Sequence, residues 1–148
     1  DGLFNIEPRV ATDGRAYIME SSPRGGGNRL CEMLKHATNG KTDLVMAAVK
    51  AALGEPVGEL PMPAYDGYWY QQMLHSDRDG AFSGMEYVPG FREAHVAEEQ
   101  LWVEPGRKVE AFSAANHAFG SVFMRFGTQE ELDEFRANPG EYMRVRVA

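Results

Sequence analysis

"FNIEPRVATDGRAYIMESSPRGGGN", residues 4–28, decides how this chain is read. Two runs rich in β-formers, "FNIEPRV" and "RAYIMES", flank Thr12-Asp13-Gly14, and Asp-Gly between such runs signals a hairpin. With Asp13 and Gly14 as a two-residue loop, Glu7 falls opposite Glu20, Asn5 opposite Ser22 and Arg9 opposite Ile18. By the period of two, Phe4, Ile6, Val10, Tyr17 and Met19 share the other face, an apolar one for a core. Pro8 cannot donate to the ladder, so a bulge beside it is where one strand could slip.

Like charges directly opposite on one sheet face are destabilising. Two physical solutions exist: the side chains splay into water, which costs little at physiological salt, or a cation sits between them. The neighbours bear on the choice. Asn5 and Ser22 add neutral oxygens to the same face, and an oxygen-only set suits a hard ion such as Mg²⁺ or Mn²⁺. Arg24 follows two residues after Ser22, and then Gly25-Gly26-Gly27 lets backbone come close to a ligand. A metal, an arginine and exposed backbone amides together describe a site for a transferring phosphoryl group.

The rest of the composition narrows the class. The 148 residues suit one compact domain, or one with a small appendage. A hydrophobic fraction of 43% and a charged fraction of 25% are those of a globular protein. The net charge of -7 argues against nucleic acid as the main partner. The single Cys31 excludes an internal disulfide framework, no apolar run suits a bilayer span, and a cytoplasmic setting is the expectation. The chain opens on Asp1, with strand-like "LFNI" two residues later, and so reads as a piece of a longer protein.

Beyond the hairpin, Asn28 is placed to cap a helix carrying Leu30, Met33, Leu34 and Ala37, ended by Asn39-Gly40. "DLVMAAVKAAL" is a second helix, apolar over most of its circumference and expected to be buried. The stretch 54–67 is rich in proline and glycine and reads as a junction; the pattern after it turns mostly β. "YWYQQMLH", "GAFSGMEYV", "EAHVAEEQLWV", "RKVEAFSA" and "GSVFMRF" are strand candidates. Thr128 to Glu131 forms a capping box before "LDEFRA", with Leu132 and Phe135 facing inward, and "YMRVRV" closes the chain as a strand.

The hairpin and the two helices after it resemble the C-terminal lobe of the ATP-grasp ligases. In that family a strand Glu and a second Glu, in a segment written E-x-N-x-R, hold the magnesium ions of bound ATP. The resemblance implies that Glu7 and Glu20 are metal ligands, with Ser22 in the third position, where Asn is usual. Arg24 matches the arginine that steadies the phosphoryl group, and Gly25, Gly26 and Asn28 are the implied nucleotide contacts. It covers roughly residues 1–58, and more loosely the β-rich tail. Nothing in the chain resembles the family's upstream lobe.

Other candidates have plainer explanations. His36 suits a helix C-terminus, while His75, His95 and His117 lie in or beside separate β segments without metal-like spacing. Asp77-x-Asp79-Gly80 is a turn, Cys31 a small hydrophobe, and Tyr68-Trp69-Tyr70 packing for a β core. The expectation is therefore an α+β fragment: residues 1–58 as the C-terminal lobe of an ATP-grasp domain and 59–148 as a β-rich subdomain. The resemblance implies an ATP-dependent ligase joining a small carboxylate to an amine through an acyl phosphate, inactive as this piece alone. Phosphoribosylglycinamide-synthetase-like and biotin-carboxylase-like members are both open, as is a homodimer. A reading from another class is a non-catalytic interaction module whose Glu pair is solvated.

Overall fold

The computed structural model of the protein describes residues 2–148; Asp1, on which the reading of an abrupt start rests, lies outside them. The chain divides into two compact units, one ending at Asp66 and one running Gly67–Ala148.

The first unit opens with the hairpin, β1 (Asn5–Val10) against β2 (Ala16–Ser22). Its loop holds three residues rather than the two expected. The Gly14 amide donates to the Ala11 carbonyl, Gly14 takes a φ of 81°, and the Ala11 amide donates to the Arg15 carbonyl. This is a turn followed by a left-handed glycine, a common three-residue closure. Arg9 therefore pairs with Tyr17, not Ile18, and Pro8 takes Ile18. A bulge at Met19, beside the proline that cannot donate, restores the register, so Glu7 still pairs with Glu20 and Asn5 with Ser22. The two one-residue departures cancel at the carboxylates. Between them they move Tyr17 to the carboxylate face, place Ile18 on the apolar face and leave Met19 outside the ladder.

Two short helices come next, α1 (Leu30–Ala37) and α2 (Leu44–Ala52). The cap of α1 is Arg29, in the left-handed region and making no side-chain hydrogen bond to the helix's first turn, and not Asn28, which itself has a φ of 54°. Gly40, its φ at 76°, donates to the Lys35 carbonyl and ends α1. Asp43 caps α2 by accepting from the Met46 amide at 2.9 Å, and its carboxylate pairs with Lys35 at 2.7 Å. These bonds, the one to Lys35 first, hold the Asp43 carboxyl below its ordinary range.

The expectation of a buried α2 and a covered apolar hairpin face is not met within this chain. Of α2 only Ala47 is buried, while Phe4, Ile6, Val10 and Ile18 stand between 53% and 71% exposed. A two-stranded hairpin and two short helices enclose too little volume for an interior.

The interior belongs to the second unit. Its first sheet has the order β3-β7-β5, from Tyr68–Leu74, Gly120–Phe126 and Val96–Leu101. The second has the order β6-β4-β8, from Lys108–Val109, Gly80–Tyr87 and Met143–Val147. Every strand pair is antiparallel. Central β7 is buried at every residue but Arg125, and Val122, Phe123 and Met124 run apolar without alternation as a strand covered on both faces does. Helix α4 (Gln129–Ala137) carries the expected capping box of Thr128 and Glu131 and buries Leu132 and Phe135. Phe135 lies 5.4 Å from the Phe126 ring, 5.6 Å from Phe91 and 5.8 Å from Tyr142, centre to centre. Two of the strand candidates depart from expectation. That at 107–114 is a strand only over Lys108–Val109. Residues 91–95 form helix α3 rather than the start of a strand, because Gly90 turns the chain at a φ of 83° and delivers Phe91 into the core.

Candidate functional site

The hairpin places the predicted acidic residues as one rung of a ladder. Glu7 and Glu20 are paired residues, so both side chains leave the same face and both are exposed. The next rung on that face is Asn5 with Ser22. Each member of this rung donates to the carboxylate two residues away on its own strand. Asn5 Nδ2 reaches Glu7 Oε1 at 3.2 Å, and Ser22 Oγ reaches Glu20 Oε1 at 2.6 Å. The arrangement is close to mirror-symmetric across the ladder. It leaves the second oxygen of each carboxylate without a protein donor among the described residues. The rung on the other side is Arg9 with Tyr17, so a cation flanks the pair there.

Past Ser22 the strand ends in a tight turn, the Arg24 amide donating to the Ser22 carbonyl at 2.9 Å. The exposed Arg24 guanidinium folds back on the loop and donates to the Gly25 carbonyl at 3.0 Å. Gly26 lies against the hairpin: a Cβ there would stand 3.3 Å from Asn5 Oδ1 and 2.7 Å from Leu30 Cδ1. At Gly25 it would stand 3.3 Å from Cys31 Sγ. Glycine at 25 and 26 thus suits the close approach of loop, hairpin and α1, while a Cβ at Gly27 would meet nothing within 4 Å. Asn28 is exposed one residue before the cap of α1. Glu7, Glu20, Ser22 and Arg24 gather at one end of one hairpin, with Gly26 beside Asn5 and Gly25 beside Leu3 and Cys31. Residue spacing places Asn5 and Glu7 on one face but gives no signal for Tyr17 there, which depends on the local turn and bulge.

Elsewhere the side chains have structural partners. In the second unit the His95 ring stacks 4.8 Å from Phe126, and His75 lies 4.5 Å from Phe112. His117 Nδ1 lies 3.0 Å from the Ala111 carbonyl, and Asp79 Oδ1 accepts from the Ala111 amide. The half-buried Tyr87 donates to Glu99, which Arg92 also approaches at 3.5 Å.

The hairpin set suits a particular kind of ion site. Among the described residues no three His, Cys, Asp or Glu side chains gather into a cage that would hold a metal alone. Two carboxylates with neutral oxygens beside them are a partial set, and Mg²⁺ is commonly held by one or two carboxylates plus substrate phosphates. The donor chemistry fits that case. Among the described residues no helix is long and apolar enough to cross a membrane.

No family model matches the sequence, and no curated protein matches it. Solved structures do match the fold. The L-amino acid ligase of Bacillus licheniformis matches 99% of this chain at a TM-score of 0.77 and 16% identity. Phosphoribosylglycinamide synthetase of Anaerococcus prevotii matches 98% at 0.72 and 13%. A third match is the biotin carboxylase domain dimer of the Hydrogenobacter thermophilus 2-oxoglutarate carboxylase, in complex with MgADP, ADP and bicarbonate. It matches 97% of this chain at 0.67 and 14%. This chain covers 36%, 37% and 32% of those chains, so it spans about a third of the proteins it matches. All are ATP-grasp enzymes, and the fold here is that of the C-terminal part of the ATP-grasp fold with its β-rich subdomain.

Proposed function

We propose that this chain supplies the metal-binding and phosphoryl-binding side of an ATP-dependent, Mg²⁺-requiring ligase that joins a small carboxylate to an amine. The observation that carries the proposal is the Glu7–Glu20 rung, its carboxylates held by Asn5 and Ser22 and followed within a turn by Arg24. The kind of reaction is drawn from the matched enzymes, whose names include a ligase of amino acids and a synthetase.

In this reading Glu7 and Glu20, with Ser22 beside them, hold the ion by oxygen atoms. When bound, Mg²⁺ neutralises negative charge on the phosphates of ATP and so favours transfer to a carboxylate. Arg24 turns its guanidinium from the Gly25 carbonyl toward the transferring group and offsets the charge that builds there. The acyl phosphate so formed is open to an amine, which displaces phosphate. The backbone of Gly25 and Gly26 and the side chain of Asn28 face the nucleotide. Residues outside these 148 complete the pocket, which accords with the apolar surface the first unit leaves exposed. The matched carboxylase domain is a dimer, and a homodimer is part of the proposal here.

The experiment is ATP turnover in the complete protein that carries this chain, with a panel of carboxylates and amines, beside Glu20→Gln and Arg24→Ala. Each substitution removes one charge at the reacting end and leaves the apolar face alone, so both variants are expected to melt as the parent does. Turnover should fall by roughly a hundredfold or more in each. Near-normal turnover in both would leave the solvated Glu pair of a non-catalytic interaction module as the surviving explanation.

A further inference from the structure

We propose that Asn5 is a positioning residue, one amide that fixes Glu7 for an ion on one side and meets the glycine loop on the other. The inference rests on the metal reading above. Asn5 is half-buried in an otherwise exposed strand, and both ends of its amide have a neighbour. Nδ2 donates to Glu7 Oε1 at 3.2 Å, while Oδ1 occupies the space that a Cβ on Gly26 would enter at 3.3 Å.

The geometry shows how the chain itself tempers two like charges on one rung. Each carboxylate gives Oε1 to a neutral donor on its own strand, which fixes the plane of the group and disperses part of its charge. Among the described residues, no protein donor reaches Oε2 of either carboxylate. Asn5 does on β1 what Ser22 does on β2, although the two donors approach from opposite chain directions. A residue of this type sets ligand orientation without touching the ion. Loss of such a partner typically costs roughly ten- to a hundredfold in metal affinity or activity. The contact with Gly26 adds a second duty. Asn5 stands against the loop that follows Arg24, so the same amide lies beside both parts of the site.

The test uses the complete protein and Mn²⁺ as the probe, its affinity read by spin resonance with ADP present, beside the melting temperature. Asn5→Ala should weaken Mn²⁺ by roughly tenfold with an unchanged melting temperature. Asn5→Ser should recover most of the loss, because serine already performs this task at the paired position. A simple structural role would lower the melting temperature, and a serine would bring no recovery of Mn²⁺ affinity; that pattern overturns the proposal. Glu7→Gln is the control. If it weakens Mn²⁺ while Asn5→Ala stays within about twofold of the parent, the positioning role fails and the metal site stands. If Glu7→Gln also leaves Mn²⁺ binding untouched, the metal reading itself fails.

Discussion

Tyr87 gives its hydroxyl to Glu99 at the edge of the core, with the Arg92 guanidinium 5.9 Å from the centre of its ring. Burial, then the hydrogen bond and charge of Glu99, hold the phenol pKa well above its ordinary 10.0. The sign of the pH effect comes from linkage. Below pH 10 the proton is on in folded and unfolded chains alike, and the contribution to stability is whole. Above that, the unfolded chain releases the proton and the folded one keeps it, so stability falls as pH rises. Tyr87→Phe should flatten this loss when melting is followed from about pH 9 to 11. An unchanged slope in the variant would mean other groups govern the alkaline limit. Nothing in the sequence joins Tyr87 to Glu99, because their meeting depends on how β4 and β5, strands of two different sheets, come together. Glu7 and Glu20 are legible because a turn lies midway between them and their neighbours are close in sequence.

The hairpin shows how an element can be read correctly for an incomplete reason. Treating Asp13-Gly14 as the loop pairs the right carboxylates, yet the turn is one residue longer and a bulge at Met19 compensates. Residues of β2 between the two irregularities, Tyr17 and Ile18 among them, therefore sit on the faces opposite to those expected, while those beyond the bulge do not. Helix α4 is the contrasting case, since its start is written locally. Thr128 Oγ1 accepts from the Glu131 amide at 3.2 Å, and Glu131 Oε2 accepts in return from the Thr128 amide at 3.3 Å. Thr128→Ala should cost about 1 kcal/mol by chemical denaturation. Phe135→Ala, which empties a site only 1% exposed among aromatic rings, should cost about 3–5 kcal/mol. Equal losses would show that the cap or the core has been misjudged. The short helix α3 escapes a reading of the sequence because five residues offer no periodicity to detect, and the glycine before it signals only a turn.

Across the whole chain, the site and the interior are in different places. Every residue proposed to meet nucleotide or metal lies in the first unit, whose large apolar side chains are mostly exposed. All members of the buried cluster lie between Leu74 and Val147. The chain alone is thus expected to bind Mg-ATP weakly, and calorimetry should find no association in the low micromolar range. Tight binding would refute the view that the pocket needs residues from outside. Hydrogen exchange should show the same division, with the amides of β7 exchanging slowest and those of β1 and β2 fastest. The sequence reveals the β-rich character of the second unit but not which side chains are covered in the first. Hydrophobic periodicity reports a face that prefers cover; it does not say whether the same chain supplies it.

That division should leave its imprint on how the protein tolerates random change in the cell. A substitution at Phe82, Val122 or Phe135, all at most 1% exposed, acts through the amount of folded protein that survives proteolysis. A substitution at Glu7, Glu20 or Asn5 removes no interior contact, so it can silence the protein while its abundance stays normal. Lineages drifting from this sequence would consequently lose function by two separable routes. One is visible on a gel, and the other only in an assay.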